Sequence, residues 1–194
     1  MKLVISLVFA SVALCQEPAN LLEFRGSSTQ YRYADWMHTS GTKLAGSPLV
    51  TDLYYVGGKG YNEANAGVGL LVKLGKTVTL IPAVYATAGT KAPQSGAKFG
   101  LVGSVEYKAW KGNLYLAQFC RIGNRTPNYL ILDSGDVTRK IAKGFEGGIS
   151  TGFLKQSCRW NPQYGPMVKF RDWSVSYRFG AGGREFRIGR VFVF

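Results

Sequence analysis

The sequence predicts an all-β protein, an antiparallel up-and-down transmembrane β-barrel of 8 to 10 strands, on three observations. Apolar residues recur with period two from Asp52 to the end. Short glycine-bearing turns alternate with longer polar connections. The chain closes on an alternating strand that ends at Phe194.

The 194 residues suit one domain behind an export leader. Met1-Lys2 is a short positive start, Leu3 to Leu14 is almost unbroken apolar sequence, and Ala13-Leu14-Cys15 approximates a small-x-small cleavage site. That run is too short to span a bilayer as a helix. Residues 1–15 are therefore expected to be a signal peptide, with acylation of Cys15 in a lipobox-like Val12-Ala13-Leu14-Cys15 as the alternative. Residues 16–50 are polar and weakly patterned, and no element is assigned to them. The barrel domain is expected over 51–194.

No later stretch reaches the length of a transmembrane helix, but a spanning strand needs only about nine to eleven alternating residues. A mean hydropathy of -0.02 fits that architecture and a soluble domain equally. The strand period carries the distinction. Ala66, Val68, Leu70, Val72 and Leu74 share one face, and Gly67, Gly69, Leu71 and Lys73 the other. Gly75-Lys76 turns the chain into Val78, Leu80, Pro82, Val84 and Ala86, where Pro82 removes a ladder donor and predicts a local distortion. Phe99, Leu101, Gly103, Val105, Tyr107 and Ala109 oppose Gly100, Val102, Ser104, Glu106 and Lys108. Further turns are expected at Lys111-Gly112 and Ser134-Gly135-Asp136. Longer connections are expected at 88–97, 123–128 and 156–165. Trp173, Val175, Tyr177 and Phe179 then oppose Ser174, Ser176 and Arg178.

If the apolar faces meet lipid, the opposite faces define a lumen. Its charged and polar members are expected to be Lys73, Glu106, Lys108, Gln118, Arg178, Glu185 and Arg187. Charges confined in a narrow barrel should pair, because an unpaired buried charge is costly. Cys120 and Cys158 fall on one rim and, in an oxidising compartment, predict a disulfide. His38 is the only histidine, so no Cys/His metal cluster can form and no metal or cofactor is expected. Gly75-Lys76-Thr77 lacks the first glycine of a phosphate loop and sits between strands. The formal charge of +13, one less once Lys2 is removed, favours anionic partners. In an exported chain these are lipopolysaccharide phosphates, acidic glycans or anionic solutes rather than nucleic acid. Asn124-Arg125-Thr126 is a glycosylation sequon, meaningful only in a eukaryotic host.

The last strand resembles that of small bacterial outer-membrane barrels. Phe186, Ile188, Phe192 and Phe194 occupy its alternating positions, and Arg190 departs from the pattern. The resemblance implies an outer-membrane location, lipid and lipopolysaccharide as surroundings, and a terminal strand read by the barrel-assembly machinery. It further implies a structural or porin-like transport role without catalytic residues. Two rival readings are a soluble exported barrel or sandwich that binds an anion, and a lipid-modifying barrel enzyme using His38 with Asp133-Ser134.

Overall fold

The structure, a computed structural model, describes residues 19–58, 60–89, 95–123 and 127–194. The expected leader with Cys15, and the sequon at 124–126, lie outside the described residues.

The strands are β1 (Ala19–Ser27), β2 (Arg32–Leu44), β3 (Ser47–Gly58), β4 (Tyr61–Leu70), β5 (Val72–Leu74), β6 (Val78–Gly89) and β7 (Gly96–Tyr107). They continue as β8 (Trp110–Arg121), β9 (Tyr129–Ala142), β10 (Phe145–Gln156), β11 (Arg159–Phe170), β12 (Trp173–Gly180) and β13 (Gly183–Val193). With β5 set aside, each pairs antiparallel with its sequence neighbours, β4 with β6 included, and β1 pairs β13 along Leu21↔Val193 to Ser27↔Arg187. Among the described residues the ring is closed by twelve strands rather than 8 to 10; the three-residue β5 lies outside it and pairs only β6.

Proline explains that thirteenth piece. Gly69↔Ala83 and Val72↔Leu80 belong to one register, so β5 continues β4 after a gap facing Pro82. The ring nitrogen has no hydrogen to donate there. The expected distortion is thus a broken ladder without a bulge. Pro166 coincides with a similar gap, since β11 and β12 keep one register from Tyr164↔Phe179 to Met167↔Ser176 but skip the pairs between.

Most of the extra strands come from the segment left unassigned. From Ala19 onward it forms β1, β2 and the start of β3. Its alternation is hidden because β2 buries Tyr33, Asp35 and Met37-side residues inward while His38 and Trp36 face out.

Glycine in two expected turns serves packing instead. Lys111-Gly112 belongs to β8, and the chain turns earlier, at Lys108-Ala109, with Lys108 at φ 55°. A Cβ on Gly112 would come 2.7 Å from Val105 Cγ1, so this glycine serves close strand approach. Ser134-Gly135-Asp136 lies inside β9, where the pairing slips between Tyr115↔Ser134 and Leu116↔Leu132. That slip is a β-bulge, which leaves both Asp133 and Asp136 facing inward. The expected loop at 156–165 shrinks to Ser157-Cys158, and β11 runs on through Pro162 and Pro166.

Among the described residues, one rim holds Phe194 and only short turns, at Ala45-Gly46, 75–77, Lys108-Ala109, Lys143-Gly144 and Arg171-Asp172. The strands that flank the longer sequence intervals 28–31, 90–95 and 122–128 end at the opposite rim, which also holds tight turns at Ser157-Cys158 and Ala181-Gly182. Cys120 and Cys158 both sit toward this second rim, yet they are free. β9 and β10 stand between them, two strand spacings or roughly 10 Å. A disulfide needs Cα atoms within about 7 Å. The expected bridge is absent for that reason.

The wall is inverted relative to a soluble barrel. Val68, Val84, Val137, Ile149 and Val168 point outward and are exposed. Outward aromatics flank them, with Tyr107, Trp110, Phe170 and Trp173 near the short-turn rim and Phe99, Trp160, Tyr164 and Phe186 near the other. An apolar band between two aromatic girdles is the exterior of a lipid-embedded barrel. The aspartates and glutamates among the described residues lie in the interior or at the short-turn rim.

Candidate functional site: the barrel interior

A cavity of about 1120 Å³ opens from the short-turn rim. Lys108, Lys111, Lys140, Lys169 and Arg171 surround its mouth. Lys111 Nζ is 2.8 Å from Glu146, but Lys108, Lys140, Lys169 and Arg171 make no ion pair among the described residues. Its floor is formed by Arg25, Tyr33, Tyr115, Arg178 and Arg187 with the carboxylates of Asp35 and Asp52. Beyond that floor two clusters fill the interior.

The first cluster is phenolic. Glu63 and Lys98 form an ion pair with only 1% and 3% of each residue exposed. Glu63 also accepts from the Tyr61 hydroxyl, from Asn65 Nδ2 at 2.9 Å and from the Tyr129 hydroxyl at 2.8 Å. Thr87 donates to Asn65 at 2.7 Å, and Lys98 to the Tyr54 hydroxyl at 3.2 Å. The Tyr115 hydroxyl donates to that of Tyr54 at 2.7 Å, and Phe119 stacks on Tyr129 at 4.9 Å. Lumen glycines make this packing possible. A Cβ on Gly67 would lie 2.2 Å from the Tyr85 ring, and one on Gly96 2.4 Å from Phe119.

The second cluster is ionic and centres on the β9 bulge. Asp133 pairs with Arg25, and with Arg187 at 3.1 Å. Arg178 donates to the Asp133 carbonyl at 2.8 Å and to Ser150 Oγ at 2.9 Å, while Ser150 donates to Asp136 at 2.6 Å. Glu185 accepts from Arg187 at 2.7 Å and from Thr29 at 2.9 Å. Arg25 lies 3.9 Å over the Tyr33 ring and Arg187 4.9 Å over Tyr31. Tyr31, in the β1–β2 turn, donates to Asp133 at 3.3 Å; burial first, then the Asp133 charge, pushes its phenol upward.

The structure therefore places Glu106, Lys108, Arg178 and Arg187 on the cavity wall and Glu185 buried beside Arg187. Lys73 lies on the inward register of β5 but at the exposed rim. Gln118 departs from the expectation. It faces outward opposite the exposed Phe99, and its amide donates to the Phe119 carbonyl at 3.0 Å, because Tyr115, Ala117 and Phe119 take the inward positions. His38 faces outward too, stacked on Trp36 and 2.9 Å from Asn20 Oδ1. Asp133 and Ser134 are on the other side of the wall, in a strand rather than a turn, so the enzyme arrangement is not assembled. Phe186, Ile188, Phe192 and Phe194 fall on the outward register of β13, and Phe194 exchanges backbone bonds with Asn20 at 2.8 and 3.0 Å. Arg190 shares that face, its guanidinium 5.0 Å from the Trp173 ring and 4.3 Å from Phe192.

Glu63, Lys98, Arg25 and Asp133 were missed at the sequence level. Extending the Ala66–Leu74 alternation back by two pairs puts Glu63 inward, and extending the Gly100 face back puts Lys98 there. Nothing comparable marks Arg25.

Among solved structures, the KdgM porin is similar at 11% identity over 90% of this chain and 99% of its own, with a TM-score of 0.58. KdgM in complex with disordered oligogalacturonate gives 10% identity, 91% and 99% coverage, and 0.57. The NanC porin gives 12%, 89%, 98% and 0.57. The chain has the fold of bacterial outer-membrane porins. No protein-family profile matches the sequence, and no curated protein matches it. In this porin-like barrel, the sealed clusters and the open vestibule share one interior.

Proposed function

We propose that the chain is an outer-membrane channel barrel for small solutes, with a bias toward anions. The observation that carries this reading is the charge layout of the vestibule. Apart from Asp172 its carboxylates lie close to cations or in the floor, and Lys108, Lys140, Lys169 and Arg171 still leave a surplus of positive charge at the mouth. Such a field concentrates anions. The complex of KdgM with oligogalacturonate, a carboxylate polymer, supports an acidic solute class. Outward Arg32, Lys155 and Arg184 near the longer-loop rim suit lipopolysaccharide phosphates, and the outward aromatics of β13 suit recognition by the assembly machinery.

Planar-bilayer recording of the refolded barrel tests the reading. The expected result is a small conductance whose reversal potential under a salt gradient shows anion preference. A Tyr85→Ala variant should conduct more, because that ring, 1% exposed, is part of the packing beyond the floor. A second reading, a closed structural barrel, rests on that same packing. It would be favoured if both proteins insert and neither conducts.

A further inference from the structure

The floor of the vestibule holds two carboxylates with no cation. Asp35 on β2 and Asp52 on β3 sit diagonally across the ladder, since Asp35 faces Tyr54 and Asp52 faces Met37. They are 6% and 3% exposed, and diagonal inward neighbours on an antiparallel ladder stand within side-chain reach of one another. Each has one oxygen satisfied: Asp35 Oδ2 accepts from Tyr33 at 3.1 Å, and Asp52 Oδ2 from Tyr85 at 2.6 Å. The two Oδ1 atoms are buried without a hydrogen-bond partner.

Two adjacent buried carboxylates cannot both ionise without a positive charge close by. The protein supplies none directly. The groups facing the pair are Glu23 and Arg25 from β1, Tyr33 from β2, Tyr54 from β3, Tyr85 from β6 and Tyr115 from β8. Arg25 is engaged by Glu23 and Asp133, and Lys98 by Glu63. Both aspartates line the 1120 Å³ cavity, so a guest can reach them from the short-turn rim. The rings of Tyr33, Tyr54 and Tyr85 stand beside them, with centroids 5.9 and 5.3 Å apart. Arg25 and Lys98 already lie over Tyr33 and Tyr54, so Tyr85 is the ring of the three with no protein cation over it among the described residues. Among the described residues no three or more His, Cys, Asp or Glu group as a metal site. A singly charged guest therefore fits better than a tightly held divalent ion.

We propose that Asp35 and Asp52 form a subsite for one monovalent cation, an inorganic ion or the ammonium group of a solute, at the base of the vestibule. The subsite does not depend on conduction, so a barrel that binds but passes no current would sink only the channel reading. The test uses the full barrel refolded in detergent at neutral pH and constant ionic strength. Its heat-induced unfolding is followed by the gel-mobility change while potassium or ethylammonium replaces the bulky N-methylglucammonium ion. Saturable stabilisation by one of the small cations is expected, and in Asp35→Asn/Asp52→Asn the apparent affinity should fall roughly tenfold or more. A response to potassium alone assigns an inorganic ion, and one to ethylammonium alone assigns a solute ammonium. Asparagine keeps the shape of aspartate, and the mobility of the unheated variant reports whether it folds. Equal responses in wild type and variant, or no cation-specific response in wild type, would overturn the proposal and leave the pair holding only a proton.

Discussion

The two sides of the filled interior close the same space by different means. Between β3 and β9 the packing is made of rings and hydroxyls around one ion pair, Glu63–Lys98. On the side of β1, β9, β12 and β13 it is a network in which Arg25, Arg178 and Arg187 share Asp133, Asp136 and Glu185. A single pair has no reserve, whereas the shared network leaves Arg25 and Arg187 a second anion each. Charge removal should therefore harm the phenolic side more, although it holds fewer charges.

The largest expected effect breaks the lone pair. Lys98→Met leaves Glu63 buried and uncompensated, which should cost about 3–5 kcal/mol in urea unfolding from lipid vesicles. Adding Glu63→Leu should recover much of that loss, with the Asn65 and Tyr129 donors left wanting. Next comes Asp133→Asn. Arg25 keeps Glu23 at 3.0 Å and Arg187 keeps Glu185 at 2.7 Å, so the same measurement should show only about 2–3 kcal/mol. Equal losses at Lys98 and Asp133 would erase the proposed contrast. Gly67→Ala should cost about 1–2 kcal/mol by displacing the Tyr85 ring. The smallest effect belongs to Cys158→Ser, at an exposed turn, which should stay within about 0.5 kcal/mol and show the same gel mobility with and without reductant.

The contrast also explains what was legible in the sequence. Where small and apolar residues alternate, as in Ala66–Leu74, the inward and outward faces could be read directly, and Arg178 and Arg187 follow from their neighbours on β12 and β13. The network's centre could not be read. Asp133 stands beside Ser134-Gly135, a turn-like pair that the fold uses as a bulge. The phenolic side was hidden for another reason: tyrosine looks apolar in a pattern search, yet Tyr33, Tyr54 and Tyr85 face inward. Strand number suffered most, because β1 and β2 place His38 and Trp36 outside and Met37 inside. Glycine misled twice, since Gly112 and Gly135 allow neighbouring side chains to approach and turn nothing.

At the seam, Phe194 is held to Asn20 through backbone bonds and leaves its 69%-exposed side chain free. Removing Phe194 should leave export intact and lower the yield of folded barrel, read as loss of the fast-migrating form in unheated gels. Normal yield would remove the special role of that residue.

Membrane fractionation of cells expressing the full chain tests the central claim most directly. The wall of Val68, Val84, Val137 and Ile149 between aromatic girdles is expected to put the protein in the outer-membrane fraction, with faster migration before heating than after. Recovery as a soluble periplasmic protein without detergent would contradict it.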